Sequence, residues 1–186
     1  MPKVSPAHLE ARRGQILDGA RRCFARWGYE GATVARLERE IGLSRGAIFH
    51  YFDSKWELFW ALAELDQTRA LEAFTEHGLD EMLRVFVEGD PDWLGVYFEA
   101  TSILRRDPER FARWQARNPE LQQQAQRRFE ELQTAGEFRG DVKLEELARF
   151  VGIVADGIVI RRSFGLDVDL AALTALVRSA LAPPRQ

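Results

Sequence analysis

Cysteine is almost absent from this chain, since Cys23 is the only one among its 186 residues. A single thiol excludes an internal disulfide framework and a cysteine-rich zinc site, and it favours a reducing cytoplasm as the compartment. The three histidines, His8, His50 and His77, lie far apart in sequence and lack the spacing of metal ligands. We therefore expect neither a bound metal ion nor a cofactor.

Long hydrophobic runs and catalytic motifs are absent as well. No apolar stretch approaches the roughly 20 residues that a transmembrane helix needs, so we expect no membrane partner. The first six residues contain no apolar signal core, so we do not expect secretion. The sequence also lacks a recognisable nucleophile–base pair and a glycine-rich phosphate loop, so we do not expect an enzyme. Its 46% hydrophobic and 30% charged residues are typical of a globular protein.

An excess of positive charge is missing from the chain as a whole but not from its first third. The formal net charge is −3, which argues against a general nucleic-acid coat protein. Residues 1–60 nevertheless hold ten Lys and Arg against seven Asp and Glu, a balance of +3, and the remaining residues hold 16 against 22, a balance of −6. This asymmetry is compatible with ordinary surface variation, and it also fits a nucleic-acid contact confined to the N-terminal part.

Helical signals divide the chain, and few segments alternate apolar and polar residues in the period of a strand. Polar caps, prolines at first helical positions and glycines at helix ends mark the boundaries. We predict an all-α fold with helices over residues 6–28, 34–41, 45–51, 55–76, 79–88, 92–106, 108–117, 119–135, 143–164 and 169–181. The fourth helix would be about 30 Å long and would join two parts of the molecule.

Two short predicted helices, 34–41 and 45–51, are joined by a tight turn and have the dimensions of a helix-turn-helix. The apolar residues that can fill a small core beneath them are Leu37, Ile41, Leu43, Ile48 and Phe52. The residues left to face outward are Arg45, Gly46, Ala47, Phe49 and His50. A helix that begins with an arginine and small residues fits the major groove of DNA, which is about 12 Å wide.

The residues around these helices resemble the DNA-binding domain of the TetR family of bacterial repressors. The similarity covers about residues 11–65 and rests on Gly-Ala-Thr-Val at 31–34, the Gly-Leu-Ser turn at 42–44, the aromatic run that ends in Phe52, and Lys55 two residues after Asp53. The resemblance implies an N-terminal helix-turn-helix, three-helix DNA-binding domain over residues 1–54. It also implies a C-terminal helical domain over residues 55–186 for effector binding and dimerisation.

The resemblance also assigns DNA contacts residue by residue. Arg45 would read a guanine through its O6 and N7 atoms, while the other groove-facing positions are Gly46, Ala47, Phe49 and His50. The positions that usually hold phosphates are Thr33, Ser44, Tyr51 and Lys55. Further arm contacts are expected from Lys3, Arg12 and Arg13.

Three residues depart from the pattern usual in that family. Phe49 stands where tyrosine is common, so a hydrogen bond from that position is lost. Glu38 replaces a small residue and Trp56 replaces an acidic one. These departures leave the expected fold intact but make the operator sequence harder to predict.

From residue 79 onward the chain is rich in aromatic residues, which either form a core or enclose a ligand. The resemblance implies a pocket for a small-molecule effector between the middle helices. The candidates for its lining are Trp93, Tyr97, Glu99, Trp114 and Arg128. A narrower resemblance rests on residues 19–25 and 46–50 and on Asp107-Pro108 together with Trp114. It is to the actinobacterial aconitase repressors within that family, and it implies citrate with magnesium as the effector. Arg178 stands where that subgroup has an acidic residue, so we favour an undefined amphipathic metabolite over citrate as the effector.

The last two predicted helices are apolar on more than one face, which indicates burial against a second copy. The candidate interface residues are Phe150, Ile153, Val154, Gly157, Leu173, Leu176 and Val177. The resemblance implies that two such helix pairs form a four-helix bundle, and the alternative is a monomer in which these helices pack only on their own core. The sequence thus predicts a homodimeric repressor that binds a palindromic double-stranded DNA operator and is released by an effector. The alternative function is a helical protein-interaction adaptor without DNA binding.

Overall fold

The computed structural model describes residues 5–116 and 118–184, except for the side chain of Gln115. Lys3, one of the predicted arm contacts, lies outside these residues. Within them the chain forms ten helices and no strand, as the sequence predicts. The helices are α1 (Pro6–Gly31), α2 (Val34–Ile41), α3 (Arg45–Phe49), α4 (Lys55–His77), α5 (Leu79–Val87), α6 (Pro91–Leu104), α7 (Pro108–Gln115), α8 (Pro119–Thr134), α9 (Leu144–Ser163) and α10 (Leu170–Leu181).

Side-chain caps start the helices of the N-terminal part. Ser5, Thr33, Ser44 and Ser54 each accept a hydrogen bond from the backbone N–H three residues further on. Each cap satisfies one of the amides that the first turn of a helix leaves without a partner. These caps fix where α1, α2, α3 and α4 begin, and all four starts agree with the sequence prediction.

Most helix boundaries lie within two residues of the sequence prediction, and two of the differences have a clear structural cause. α1 continues to Gly31, past a kink at Gly28 whose φ of 69° and ψ of 173° are not helical. Glycine adopts this conformation without strain, so the predicted helix end marks the kink and a further turn follows it. α6 begins at Pro91, because Asp90 caps it by accepting a hydrogen bond from the N–H of Asp92 at 3.0 Å.

The first hydrophobic core lies among α1, α2, α3, the first half of α4, and α6. Phe24, Phe59 and Trp60 are among the largest side chains buried there. Gly19 lets α1 and α2 approach closely, since a Cβ at this position would lie 2.8 Å from a side-chain carbon of Ile41. This core extends past residue 54 and joins the helix-turn-helix to α4 and α6.

The second core is formed by the second half of α4 together with α5, α8, α9 and α10. Phe74, Leu83 and Leu181 are among its buried residues. At its surface, Arg178 of α10 forms a bidentate ion pair with Asp80 of α5, at 2.7 and 2.6 Å. α4 therefore contributes to both cores, in agreement with a helix that joins two parts. Over residues 5–116 and 118–184, no helix is both long and apolar enough to span a membrane.

Candidate DNA interface and ligand cavity

α2 and α3 form a compact helix-turn-helix. Gly42 ends α2 in the left-handed conformation, with a φ of 77°, which turns the chain sharply towards α3. Leu37 and Ile48 are fully buried, and Ile41 and Phe52 are almost so. The small core predicted from the sequence is thus confirmed, and it fixes α3 by its inner face.

The outer face of α3 carries the side chains predicted to read bases. Those that are exposed are Ser44, Arg45, Gly46 and His50, and those that are half-buried are Ala47 and Phe49. Within the described part of the chain, the Arg45 guanidinium has no bonding partner. A Cβ at Gly46 would meet no atom within 4 Å, so the surface around it is open. Arg45 is therefore free to form hydrogen bonds with base edges.

Glu38 ties the start of α3 to α2, a contact that sequence reasoning missed. Its Oε1 atom accepts a hydrogen bond from the backbone N–H of Arg45 at 2.6 Å. A carboxylate at a helix start also interacts favourably with the partial positive charge of the helix dipole. The signal available in the sequence was the unusual acidic residue at position 38, seven residues before Arg45. Glu38 thus sets the position of the helix that carries Arg45.

Lys55 is directed into the N-terminal domain. Its Nζ donates a hydrogen bond to the backbone carbonyl of Tyr29 at 2.8 Å and lies 4.3 Å from the centre of the Tyr29 ring. Burial lowers the pKa of the Lys55 ammonium below its ordinary value, and nearby Glu30 opposes this effect. The predicted phosphate contact of Lys55 stays a prediction, which now has to accommodate a second, structural contact.

The remaining predicted phosphate and arm residues surround α3. Thr33 is exposed, and Tyr51 is half-buried against the first core. On α1, Arg12 donates to the side chain of Gln15 at 2.9 Å, while the guanidinium of Arg13 lies 4.7 Å from the centre of the Phe52 ring. These residues keep their predicted roles as predictions.

Glu99 lies at the junction between α6 and the end of α1. Its Oε2 atom accepts a hydrogen bond from the backbone N–H of Tyr29 at 2.8 Å. A Cβ at Gly28 would lie 2.9 Å from the same oxygen, so glycine is needed there both for this approach and for its positive φ. Glu99, which the sequence placed among the effector-pocket candidates, therefore joins the C-terminal part to the DNA-binding unit.

A second junction joins α1, α4 and α6 through one carboxylate. Asp66 of α4 accepts two hydrogen bonds from the Arg21 guanidinium of α1, at 3.0 and 2.7 Å. It accepts a third from the indole N–H of Trp93 of α6 at 2.6 Å. The Arg21 guanidinium also lies 4.6 Å from the centre of the Trp93 ring. The carboxylate thus fixes the orientation of α1 relative to both other helices.

A cavity of about 550 Å³ lies beside this junction, lined by residues of α1, α4, α5, α6 and α9 and of the α5–α6 connection. Two predicted pocket residues, Trp93 and Tyr97, belong to its lining, and Arg21 and Asp66 line it as well. Burial raises the pKa of the Tyr97 hydroxyl, and the negative charge of Asp156 on α9 raises it further. No cluster of three or more His, Cys, Asp or Glu side chains suited to a metal ion occurs among the described residues.

Three of the predicted pocket residues do not line this cavity. Glu99 lies at the junction with α1, and Trp114 of α7 packs against the ring of Trp60, 5.8 Å between ring centres. Arg128 of α8 pairs with Glu131 on its own helix at 3.1 Å, and its buried Nε has no hydrogen-bond partner in the described structure. Aromatic content alone could not show which helix faces meet around the cavity.

α9 presents an apolar stripe to solvent. Its members recur at intervals of three and four residues and are Phe150, Ile153, Gly157, Ile160 and Phe164, the last of which caps the C-terminus of the helix. Ile153 and Phe164 are 63% and 70% exposed, and Leu176 on neighbouring α10 is 69% exposed. Val154 and Leu173, also predicted for the interface, are half-buried. Val177 is 2% exposed and belongs to the protomer's own core, so it is not part of this pairing face.

Comparison with known proteins places the N-terminal part in an established family. The model of the bacterial regulatory proteins of the tetR family matches residues 16–62, which run from α1 into the first half of α4. An HTH-type transcriptional repressor of Mycobacterium tuberculosis is 43% identical over 184 residues, covering 97% of this chain and 98% of the relative. The HTH-type transcriptional repressor AcnR of Corynebacterium diphtheriae is 43% identical over 171 residues, covering 91% and 90%.

A solved structure shares the whole architecture. GusR of Salmonella enterica superimposes with a TM-score of 0.72 and covers 97% of this chain and 98% of its own, at 24% sequence identity. At this identity the likeness concerns the fold alone. It includes the helices that line the cavity and those that carry the pairing face.

Proposed function

Since this chain belongs to the TetR family of bacterial regulatory proteins and is a DNA-binding transcriptional regulator, we propose that it represses its target genes. In this proposal it binds a palindromic operator as a homodimer and is released by a small-molecule effector. The alternative of an adaptor without DNA binding does not agree with relatives that are transcriptional repressors along nearly their full length.

The observation that carries the proposal is the free Arg45 guanidinium on the exposed face of α3. The opposite face of α3 is packed on Leu37 and Ile41, and Glu38 holds its first amide. A short helix fixed in this way can enter the major groove without changing shape. A bidentate contact from arginine to guanine contributes about 1–3 kcal/mol of discrimination against other bases.

The pairing face supports a dimer. A single α3 reads only a few base pairs, so useful specificity needs two DNA-binding domains on half-sites about 34–36 Å apart. The stripe on α9 is unpaired in one protomer, although it has the spacing of a helix–helix seam. A Cβ at Gly152 or Gly157 would meet no atom of its own chain within 4 Å. Glycine in a helix lowers stability by about 0.5–1 kcal/mol relative to alanine. Close approach of a helix from a second protomer would explain why α9 has glycine at these two positions.

The cavity and the junctions support control by an effector. Arg21 of α1 contributes both to the cavity lining and to the junction with α4, so a ligand in the cavity contacts a residue of the DNA-binding unit. A ligand that favours a different orientation of α1 lowers operator affinity. By thermodynamic linkage, the operator then lowers the affinity for the ligand by the same factor.

The proposal is tested by operator binding. Genomic DNA fragments retained by the immobilised protein supply the operator, and fluorescence anisotropy at fixed salt then compares it with a random duplex. Arg45→Ala should weaken operator binding by about 1–3 kcal/mol and binding to random DNA far less, because only a base contact is removed. Arg127→Ala, which removes an exposed arginine of α8, a helix of the second core, is the matched control. If Arg45→Ala leaves the preference for the operator unchanged, the proposed orientation of α3 is wrong.

A further inference from the structure

The cavity beside the Arg21–Asp66 junction has an excess of negative charge. Its charged lining residues are Arg21, Arg69 and Arg84 on the positive side and Asp66, Glu81, Glu88, Asp90 and Asp156 on the negative side. Three arginines against five carboxylates give the lining a formal charge of −2. A cavity with low-dielectric walls concentrates such a field, which attracts ligands of the opposite sign.

Most of these charges are already neutralised by neighbours. Asp66 forms an ion pair with Arg21, and Arg84 forms ion pairs with Glu81 at 3.0 Å and with Glu88 at 3.5 Å. Three side chains are left. Asp90 caps α6, while Arg69 of α4 is exposed and, like Asp156, has no hydrogen-bond or ion-pair partner in the part of the chain that the structure describes.

Asp156 is the anionic group of the cavity that lacks compensation. It lies at the rim, where its side chain keeps contact with solvent. Its carboxylate is close enough to Tyr97 to raise the pKa of that hydroxyl, and loss of surrounding water raises the pKa of Asp156 itself. A cation placed here would neutralise the Asp156 carboxylate and compensate for the water that this group has lost.

The walls next to Asp156 are apolar and aromatic. Phe86 and Leu94 line the cavity together with Tyr97, whose ring is mostly enclosed by protein. Such a surface accommodates a hydrocarbon or aryl group, and the face of a tyrosine ring attracts cations. At about 550 Å³, the cavity has the size usual for small organic ligands.

We propose that this cavity binds an organic cation, whose charge lies at Asp156 and whose apolar body lies against Phe86, Leu94 and Tyr97. This inference rests on the proposed function and names the chemical class of its effector. It differs from the citrate–magnesium effector implied by the narrower sequence resemblance. Among the charged lining residues, an anion would find Arg69 as the one arginine without an ion pair, and the Asp156 carboxylate would repel it.

The same position explains how the ligand acts on the DNA-binding unit. The Arg21 guanidinium lines the cavity and is itself a cation held between Asp66 and the Trp93 ring. A second cation in the cavity repels it and competes for the field of Asp66. The junction between α1 and α4 is weakened as a result, and the orientation of the helix-turn-helix that suits the operator is less favoured.

Calorimetric titration of the full chain with benzyltrimethylammonium, which is permanently charged, tests the inference. Benzoate, benzyl alcohol and citrate with Mg²⁺ are titrated in parallel. We expect the cation to bind about tenfold or more tightly than the anion and the alcohol, because a contact to a charged group contributes roughly 1.5–3 kcal/mol. Tighter binding of benzoate or of citrate with Mg²⁺, or no binding of the cation, would overturn the proposal.

Asp156→Asn keeps the shape of the side chain and removes its charge. It should weaken benzyltrimethylammonium binding about tenfold or more, whereas Glu145→Gln, which removes the same charge at an exposed position of α9 outside the cavity, should not. Equal affinity of the wild type and Asp156→Asn would contradict the assigned anchor. Unchanged helical content in circular dichroism shows that both variants fold.

Anisotropy of the labelled operator separates this inference from the proposed function. If the chain binds the operator but the cation neither binds nor lowers operator affinity, the ligand class is wrong and the repressor function stands. If the chain binds no genomic DNA selectively, the proposed function fails whether or not the cation binds.

Discussion

The Lys55 ammonium is held inside the N-terminal domain and still has donors for a second partner. Of its three N–H bonds, one is used by the carbonyl of Tyr29. The others remain available for the phosphate contact that the family resemblance predicts. The bond to Tyr29 compensates in part for placing a cation, whose pKa is lowered by burial, at a helix N-terminus, where the dipole disfavours positive charge.

Lys55→Met should therefore have two separate effects. It leaves the Tyr29 carbonyl without its partner, and we expect the free energy of unfolding to fall by about 1–3 kcal/mol, measured by urea denaturation. It also removes the predicted phosphate contact. The slope of log binding constant against log salt concentration should therefore become less steep by about one unit per subunit. Lys143→Met, at the exposed start of α9, is the control. An unchanged salt slope would show that Lys55 has only the structural contact.

Asp156 provides a pH-dependent prediction. Its pKa is raised in the folded chain, so at neutral pH the folded state bears the cost of a carboxylate that has lost part of its hydration. A raised pKa means that the folded state binds the proton more tightly, and this cost disappears as the pH falls below the pKa of an unfolded aspartate, about 3.9. Asp156→Asn should stabilise the chain at pH 7, and the gain should vanish towards pH 4. A gain equal at both pH values, in urea denaturation, would argue against desolvation as the cause.

Among the elements, α3 depends most on its neighbours. It has only five residues, too few to be stable as an isolated helix, and it is fixed by the Ser44 cap, by Ile48 and by the Glu38 carboxylate. The position of the helix that is predicted to read DNA is thus set partly from α2. Glu38 also places a negative charge close to the DNA, which opposes binding to any phosphate backbone.

Glu38→Ala should separate these two effects. Loss of the bond to the Arg45 amide should weaken operator binding by about 1.5–3 kcal/mol, since a charged group is involved. Binding to random duplex should stay equal or become tighter, because a negative charge is gone. Asp18→Ala serves as the control, because it removes the same charge from an exposed position of α1 in the same DNA-binding domain. A parallel loss on both duplexes would mean that Glu38 does not position α3.

The sequence predicted elements better than the contacts between them. Caps such as Thr33 and Ser54 act within three residues, so their pattern alone located the starts of α2 and α4. Glu99 reaches Tyr29, seventy positions away, and Asp66 joins Arg21 to Trp93, so both contacts depend on how the helices pack. For the same reason the sequence indicated aromatic candidates for the pocket but not which of them lie beside Asp156 in the cavity.

At the scale of the whole molecule, two cores share α4 and are coupled through the α1–α6 junctions. The helix-turn-helix lies at one end of this arrangement, and the apolar stripe of α9 lies on the surface of the second core. In a dimer formed by that stripe, the distance between the two α3 helices depends on the orientation of α1 against α4. Ligand binding beside Arg21 and operator binding are therefore expected to be coupled through this distance.

Ile153→Asp should yield a monomer that keeps its helical content. The side chain is 63% exposed in one protomer, so the charge harms only the paired state, in which it would be buried. Leu65→Asp places the same charge at an exposed leucine of α4 outside the face and should stay dimeric. Val177→Asp is unsuitable, since it would disrupt the protomer's own core. A dimeric Ile153→Asp, in sedimentation at micromolar concentration, would show that the stripe is not the interface.

Sedimentation velocity of the unmodified chain with a labelled operator duplex tests the central claim most directly. The free chain should sediment as a dimer at micromolar concentration, and the complex should contain two protomers on one duplex with half-sites about 34–36 Å apart. Separation of the half-sites by a further half turn should abolish the complex. A monomer that binds one half-site as well as the complete operator would contradict a dimeric repressor that reads a palindrome.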